Sequence, residues 1–312
     1  MAFTRSNFST GPGVVVVGST YLYTDGNIQV EESVETFPIK ANGYGQVDER
    51  RKASITKITF KPVGMFTSGI ASVLQPYLNY TEGQSMAGSS DTAVIVWPFS
   101  GVGKRTYPCG FISNFVGFQL ASTKTVWGNV EITCIGKNAT AQNDSAKFLT
   151  LADAAMSDTS LSASGIKTVP YTASIGVLSS PWDAIKVSAD GVKVSGSLET
   201  ELIEVDGEGY VDMILKGVKL ESAFQPMGVT AAQVLTLFTA FQGQLSGASM
   251  AGLGATLTVT GGTGNPQFVG YNATLMTAPH NFQAGSPRIG ELKFSHQRNG
   301  GTGALATLGV AS

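Results

Sequence analysis

Two imidazoles, His280 and His296, are the whole histidine complement of this 312-residue chain. Acid–base, nucleophilic and zinc chemistry draw on histidine first, because its ring titrates near neutrality and ligates metals when neutral. A histidine-ligated metal would need both rings, sixteen residues apart in the same half of the chain. No Ser/His/Asp or Cys/His arrangement has local support in the sequence. The sequence therefore points away from catalysis, and neither a metal nor a cofactor is expected. Cys109 and Cys134 are the only thiols, each in an apolar or turn-like context. They are expected as unpaired structural side chains, not as a disulfide framework. Gly101-Val-Gly-Lys104 has the outline of a phosphate loop, but Pro98 stands where the first glycine belongs. Arg105 occupies the Ser/Thr position that would hold magnesium, so a hairpin turn is expected instead. Gly261-Gly-Thr-Gly264 reads as its counterpart.

One charge feature rises above background: Glu199, Glu201, Glu204, Asp206, Glu208 and Asp212, with no basic residue between them. A solvated strand edge and loop is the ordinary account. A calcium site would need a spacing that this run does not have. The third account is a negative surface presented to a polyanion that must not stick. Elsewhere charge is scarce, at 13% of residues with a net charge of −2. Such a balance excludes a general nucleic-acid binder, which needs a clustered basic excess. Residues 1–150 are slightly basic and residues 151–312 slightly acidic. Glycine is abundant, at 38 residues, as expected for many turns between short strands. No stretch approaches a membrane span. The opening run of four valines is too short for a secretory signal core, so a cytoplasm-like site of synthesis is expected.

The strongest pattern is internal. Shifted by 164 residues, SVET (33–36) falls on SLET (197–200), and IKANGYGQVDERRK (39–52) falls on IEVDGEGYVDMILK (203–216). FKPVG (60–64) meets FQPMG (224–228), and GQSMAG (83–88) meets GASMAG (247–252). About eighteen of the sixty positions from 33 to 92 are identical without a gap, where chance would give roughly four. WGNVEIT (127–133) pairs with IGELKFS (289–295) at a slightly different shift. Two copies of one domain are expected, 1–155 and 156–312, with the polar stretch 137–165 between them.

The elements follow from periodicity. Thr230 and Gln233 form a capping box, and Val234, Leu237, Phe238 and Phe241 make one helical stripe that Gly243 can end. Ile70, Val73, Leu74 and Tyr77 make the same stripe in the first copy, where Pro76 predicts a shorter helix. Ile58 and Phe60 alternate with Lys57, Thr59 and Lys61, a half-buried strand; in the second copy Phe224 faces like Phe60, and Lys219 and Glu221 take the polar side. Further strands are expected at 14–17, 92–97, 129–135, 192–195, 255–259 and 291–295. Hairpin turns are expected at 100–104 and 261–265.

In that order, a strand ending FKPVG or FQPMG, an amphipathic helix, a GxSMAG turn, a strand, a hairpin and a WGNVEIT-type strand resemble a bacteriophage tail tube protein. The resemblance covers roughly 33–137 and 197–297. It implies a mainly β fold: two tandem β-sandwich or barrel-like tube domains, each with one flanking α-helix. It implies a virion protein, made in the bacterial cytoplasm, whose rings stack into the channel for ejected DNA. Three two-domain chains would supply a pseudo-sixfold ring. Its partners would be itself, the tape measure, terminator and distal tail proteins, and double-stranded DNA passing without specific binding. The acidic run would face the lumen in part. Long loops at 40–52 and 204–216 would reach neighbours, with Asp48, Glu49, Arg50, Arg51 and Lys52 as the contacts. A terminator, neck or distal-tail ring shares the fold. An adhesive carbohydrate-binding sandwich would want clustered exposed aromatics, whereas Trp97, Trp127 and Trp182 are scattered.

Overall fold

Alternation of apolar and polar side chains runs through most of the chain, and the fold is mainly β. The computed structural model describes residues 13–63, 69–79, 81–86, 93–98, 103–122, 124–135, 150–152, 169–176, 178, 180, 182–205, 209–242, 255–283, 286–298 and 303–311. The first half holds β1 (Gly13–Val17), β2 (Thr20–Thr24), β3 (Gln29–Ala41), β4 (Gly45–Phe60), β5 (Pro62–Val63) and α1 (Ile70–Leu78). After these come β6 (Val94–Pro98), β7 (Lys104–Tyr107), β8 (Cys109–Phe115), β9 (Gly117–Ala121), β10 (Lys124–Trp127), β11 (Val130–Ile135) and β12 (Thr150–Ala152). The second half holds β13 (Thr172–Ile175), β14 (Ile185–Val205), β15 (Gly209–Met227) and α2 (Ala231–Gln242). It continues with β16 (Leu257–Thr260), β17 (Pro266–Gly270), β18 (Thr274–Thr277), β19 (His280–Gln283), β20 (Ser286–Ile289), β21 (Leu292–Ser295) and β22 (Ala306–Val310).

First-half strands other than β9 and β10, which join the second-half sheet at β14, form two sheets, in the orders β12-β7-β6-β1-β2-β5 and β3-β4-β11-β8. In the second half one sheet runs β18-β21-β15-β14-β13-β16-β17-β22. The difference is a break. β14 and β15 each run unbroken through a stretch where the first half splits into β2 and β3, or β4 and β5. Registers coincide as well. Gln29 pairs with Thr59 as Lys193 pairs with Ala223, and Ala41 with Gly45 as Val205 with Gly209. Irregularities fall at 35/36 and 39/40 in one ladder, and at 199/200 and 203/204 in the other, again 164 apart. Each places one extra residue on the returning strand, a β-bulge that bends and twists the ribbon. The first pair of bulged residues is Lys52 and Lys216, the second Val47 and Val211.

The helices form as their sequences dictate. Thr230 N donates to Gln233 Oε1 at 2.7 Å and Gln233 N to Thr230 Oγ1 at 3.4 Å, the reciprocal capping box. Val234, Leu237 and Phe241 are buried; Phe238's side chain and Gly243 lie outside the described residues. In α1, Ile70, Leu74 and Tyr77 are buried and Val73 is half-buried. That helix has 9 residues against 12 in α2 and ends two residues beyond Pro76. Pro76 sits late enough to forfeit only one backbone bond.

Four further expectations need adjustment. The stretch 137–165 is not purely a linker, because β12 within it pairs with β7; the proposed boundary near 155 lies outside the described residues. The expected long loops at 40–52 and 204–216 are instead the outer ends of paired strands, β3 with β4 around a turn at 42–44 and β14 with β15 around residues 206–208, which lie outside the described residues. Residues 42–49 are exposed throughout, so no buried face imposes a period of two there. The strand expected from 92 begins at Val94, and the turn at 100–104 falls mostly outside the described residues. β9 and β10 were not expected.

One hydrophobic core runs through both halves, from Val15 to Leu308. Its junction is aromatic: Phe118 of β9 meets Trp127 at 5.1 Å and Phe268 of β17 edge-on at 5.8 Å. Alongside, β9 pairs antiparallel with β14, Leu120 opposite Val192 and Gly117 opposite Ser195. Glycine is required at both ends of that joint. A Cβ on Gly117 would lie 2.0 Å from Val194 O, and one on Gly191 would lie 1.9 Å from Leu120 O. Both also have positive φ, 124° and 70°. α1 closes the same junction at the other side, Gln75 Nε2 donating to Ala306 O at 3.0 Å and Gln75 Oε1 accepting from Leu308 N at 2.8 Å. Gly191→Ala should therefore cost about 2 kcal/mol or more, whereas Gly217→Ala, with only ordinary contacts, should stay within about 1 kcal/mol. Urea unfolding of the two variants checks this; equal midpoints would remove the steric account.

Candidate functional site

The outer ends of the β3–β4 and β14–β15 ladders project beyond the core and carry nearly all the residues singled out by sequence. Along β14 the alternation is regular: Val192 and Val194 are buried, Lys193, Ser195, Ser197, Glu199 and Glu201 exposed. Glu199 and Glu201 thus share the solvent face. Glu204 falls on the opposite face, beyond the end of the core. Asp212 lies on β15 opposite Ile203, and its Oδ1 accepts from Met213 N at 2.7 Å. Asp206 and Glu208 lie outside the described residues. The run is therefore split between faces. One charge in it is also compensated: bulged Lys216 reaches Glu201 at 2.5 Å, and the Glu201 carboxylate raises the lysine's proton affinity. Both groups are half-exposed, so the pair adds little stability.

In the first ladder Asp48 and Glu49 are exposed, and Asp48 Oδ1 accepts from Glu49 N at 2.8 Å. Glu49 also accepts a short hydrogen bond from Thr36 Oγ1. Arg50, Arg51 and Lys52 continue β4, but their side chains are not among those described. This end also exposes apolar side chains: Tyr44 at the turn is 85% exposed, Val34 and Val47 each 53%, and Phe37 46%. Solvent-facing aromatic and aliphatic groups clustered on one ribbon are an unmet contact surface.

The two ladders touch. Tyr210 Oη donates to Glu35 Oε1 at 2.9 Å. Met213 of β15 is buried against Cys109, Phe111 and Ile135 of the first half. The free edge of β15 is taken by the turn after α1: Gly83 N donates to Leu215 O and Met86 N to Met213 O, each at 2.8 Å. Carried back 164 residues, that covered edge is 49–51 on β4, within the stretch expected to make contacts.

Chemistry elsewhere is sparse. Among the described residues no group of three or more His, Cys, Asp or Glu could hold a metal. Cys109 and Cys134 are buried and free. Burial, with Cys109 nearby, pushes the Cys134 thiol far up. Lys104 lies 4.3 Å over the Trp97 ring as a cation–π pair, not at a phosphate loop. Trp97, Trp127 and Trp182 are all buried, which leaves no indole face for a sugar. No helix among the described residues is long and apolar enough to cross a membrane.

The fold does bring together one pair that nothing local in the sequence joins: Ser222 Oγ and His296 Nε2 share a hydrogen bond of 2.8 Å across 74 residues. They are 1% and 5% exposed. Phe268 stands edge-on to the imidazole at 5.5 Å, and a Cβ on Gly270 would meet the ring at 2.3 Å. Burial pushes the His296 pKa down to about 4, with the Tyr271 main chain opposing. A neutral, weakly basic ring sealed in the core satisfies a buried hydroxyl; no substrate reaches it. Removing the hydroxyl by Ser222→Ala should cost about 1–3 kcal/mol.

Acid exposes the same pair. The unfolded chain protonates this ring below about pH 6.5, the folded chain only near 4. The histidine's contribution is complete above pH 6.5 and is lost as pH falls toward 4, by up to about 1.4 kcal/mol per pH unit. Between pH 7.5 and 5 the urea midpoint should fall further for the wild type than for His296→Gln; equal falls would refute it. No protein-family model matches the chain, and no curated protein matches it either.

Proposed function

We propose that this chain is the structural subunit of a viral tail tube, with its halves as two tandem copies of one tube domain. Three chains close a pseudo-sixfold ring, and rings stack into the channel through which DNA leaves the virion. The observation that supports this most is the matched pair of ladders. They agree in register and in the place of both bulges, yet their outer ends differ in side chains. Bulges are conserved features of strand geometry, and two at one spacing are a repeated architecture. Equivalent scaffolds with different surfaces suit subunits that occupy alternating places in one ring. The exposed Phe37, Tyr44 and Val47 then meet a neighbouring molecule, together with Asp48, Glu49, Arg50, Arg51 and Lys52. Other partners are the tape measure, terminator and distal tail proteins. The workplace is the virion.

Glu199 and Glu201 on one solvent face support a channel lining that repels phosphate, so that DNA slides without binding. Lysine at both positions would invert that field. Glu199→Lys with Glu201→Lys should slow DNA release from assembled particles, and unchanged release would dismiss the lining.

Negative-stain microscopy of the purified protein, with its mass in solution, tests the assembly. Rings of three chains that stack into tubes are expected at raised concentration. Discrete rings that never stack would favour a terminator, neck or distal-tail ring, and monomers alone would sink both. Phe37→Glu and Tyr44→Glu should cut assembly while leaving stability within about 0.5 kcal/mol, as for surface changes in general.

A further inference from the structure

The hairpin of β19 and β20 forms a sheet of two strands with no third among the described residues. Its counterpart, β9–β10, is seated on β14. The two hairpins correspond closely. Each closes over a two-residue connection, between Ala121 and Lys124 or between Gln283 and Ser286, a shift of 162. The same shift carries the hydrogen bond from Gly128 N to Gly117 O, 2.7 Å, onto that from Gly290 N to Pro279 O, 2.8 Å. The docking strand has a counterpart too. Residues 192–195 of β14 correspond at 164 to residues 28–31, where β3 begins. An Asp-Gly with positive φ at its glycine precedes each, but Gly26 stands one residue further from its strand, so that Asn27 occupies the place of Gly191. Among the described residues β3 is the end strand of its sheet, with only β4 beside it. A lone two-stranded hairpin is marginal in water, and an uncovered strand edge is a template for pairing.

We propose that β19 of one copy pairs antiparallel with the beginning of β3 in a second copy, repeating between chains the joint that β9 makes with β14 within one. The register transposes directly. Leu120 opposite Val192 becomes Phe282 opposite Ile28; Gln119 opposite Lys193 becomes Asn281 opposite Gln29; Phe118 opposite Val194 becomes His280 opposite Val30. The fourth pair does not carry over. Pro279 stands where Gly117 stands, lacks an N–H, and cannot approach a carbonyl as closely as a residue without Cβ. The joint between chains is therefore one pair shorter than the joint within a chain, and is the weaker seam of the ring. Donor hairpin and acceptor edge lie at different places on the chain, so the contact is head-to-tail and closes only if the rotation does. The proposal rests on the reading of this chain as a ring subunit, and names the contact that closes the ring.

Paired cysteines in the full chain test it. Strand neighbours in register lie within disulfide reach, whereas residues one step out of register point to opposite faces. Gln29→Cys with Asn281→Cys should give intermolecular disulfides on oxidation, seen as a ladder on a non-reducing gel. Gln29→Cys with Phe282→Cys should give at least about tenfold less. Rings visible by microscopy with no excess of the in-register product would overturn this joint and leave the ring standing. A disulfide confined to single chains would overturn it as well, because the hairpin would then belong to its own β3. Failure of every variant and of the wild type to leave the monomeric state would remove joint and ring together.

Discussion

Everything in this structure depends on one backbone ladder, the pairing of β9 with β14. It gives the β9–β10 hairpin its third strand and covers the edge of β14 at 192–195, and it is made by main-chain groups. The cost of such an approach is steric, because the strand ends must come closer than a Cβ permits. Gly117 and Gly191 meet that demand, each against the other strand's carbonyl. Phe118, carried in by the same strand, then fills the gap between Trp127 and Phe268. Backbone pairing sets the register, and the aromatic side chain converts it into buried area. A single core results where two could have stood.

The second consequence concerns what is left uncovered. Within one chain every first-half device finds a second-half receiver: β9 takes the edge of β14, residues 83–86 take the edge of β15, and Gln75 of α1 ties down β22. No strand among the described residues covers the equivalent stretches of β3 and β4, which lie next to the ribbon that exposes Phe37, Tyr44 and Val47. Strand edges with apolar neighbours aggregate unless something specific covers them. The self-association proposed for this chain would cover them.

How much of this could be read in the sequence depends on which signals are local. The 164-residue shift marked both ladders, and the capping box and stripe of α2 stood in plain view at Thr230, Gln233, Val234 and Leu237. The first ladder's outer end looked like a loop because 42–49 is exposed throughout, and a period of two is visible only where one face is buried. β9 was missed because Gly117 at its start imitates a turn, while its reason for being extended lies 75 residues away at Val192. Bulges leave no compositional mark at all. Of the acidic run, the residues were legible but their faces were not, since a strand divides neighbours between two sides and the run reads as one patch only on paper. The Ser222–His296 pair was beyond reach for another reason: strands β15 and β21 become neighbours only when the sheet forms.

Differences between the halves matter as much as their likeness. Pro279 stands in place of Gly117, and Asn27 in place of Gly191, so the joint we propose between chains would be shorter than the joint within one. On that proposal the covalent chain is the firm half of the assembly and the seam the adjustable half. The same logic applies to the ladders, where Glu201 meets Lys216 but its counterpart Phe37 meets solvent. A repeat that keeps its bulges while changing its side chains preserves the geometry of closure and frees alternate positions for different contacts. That combination suits the proposed ring of quasi-equivalent units, in which alternate positions meet different neighbours.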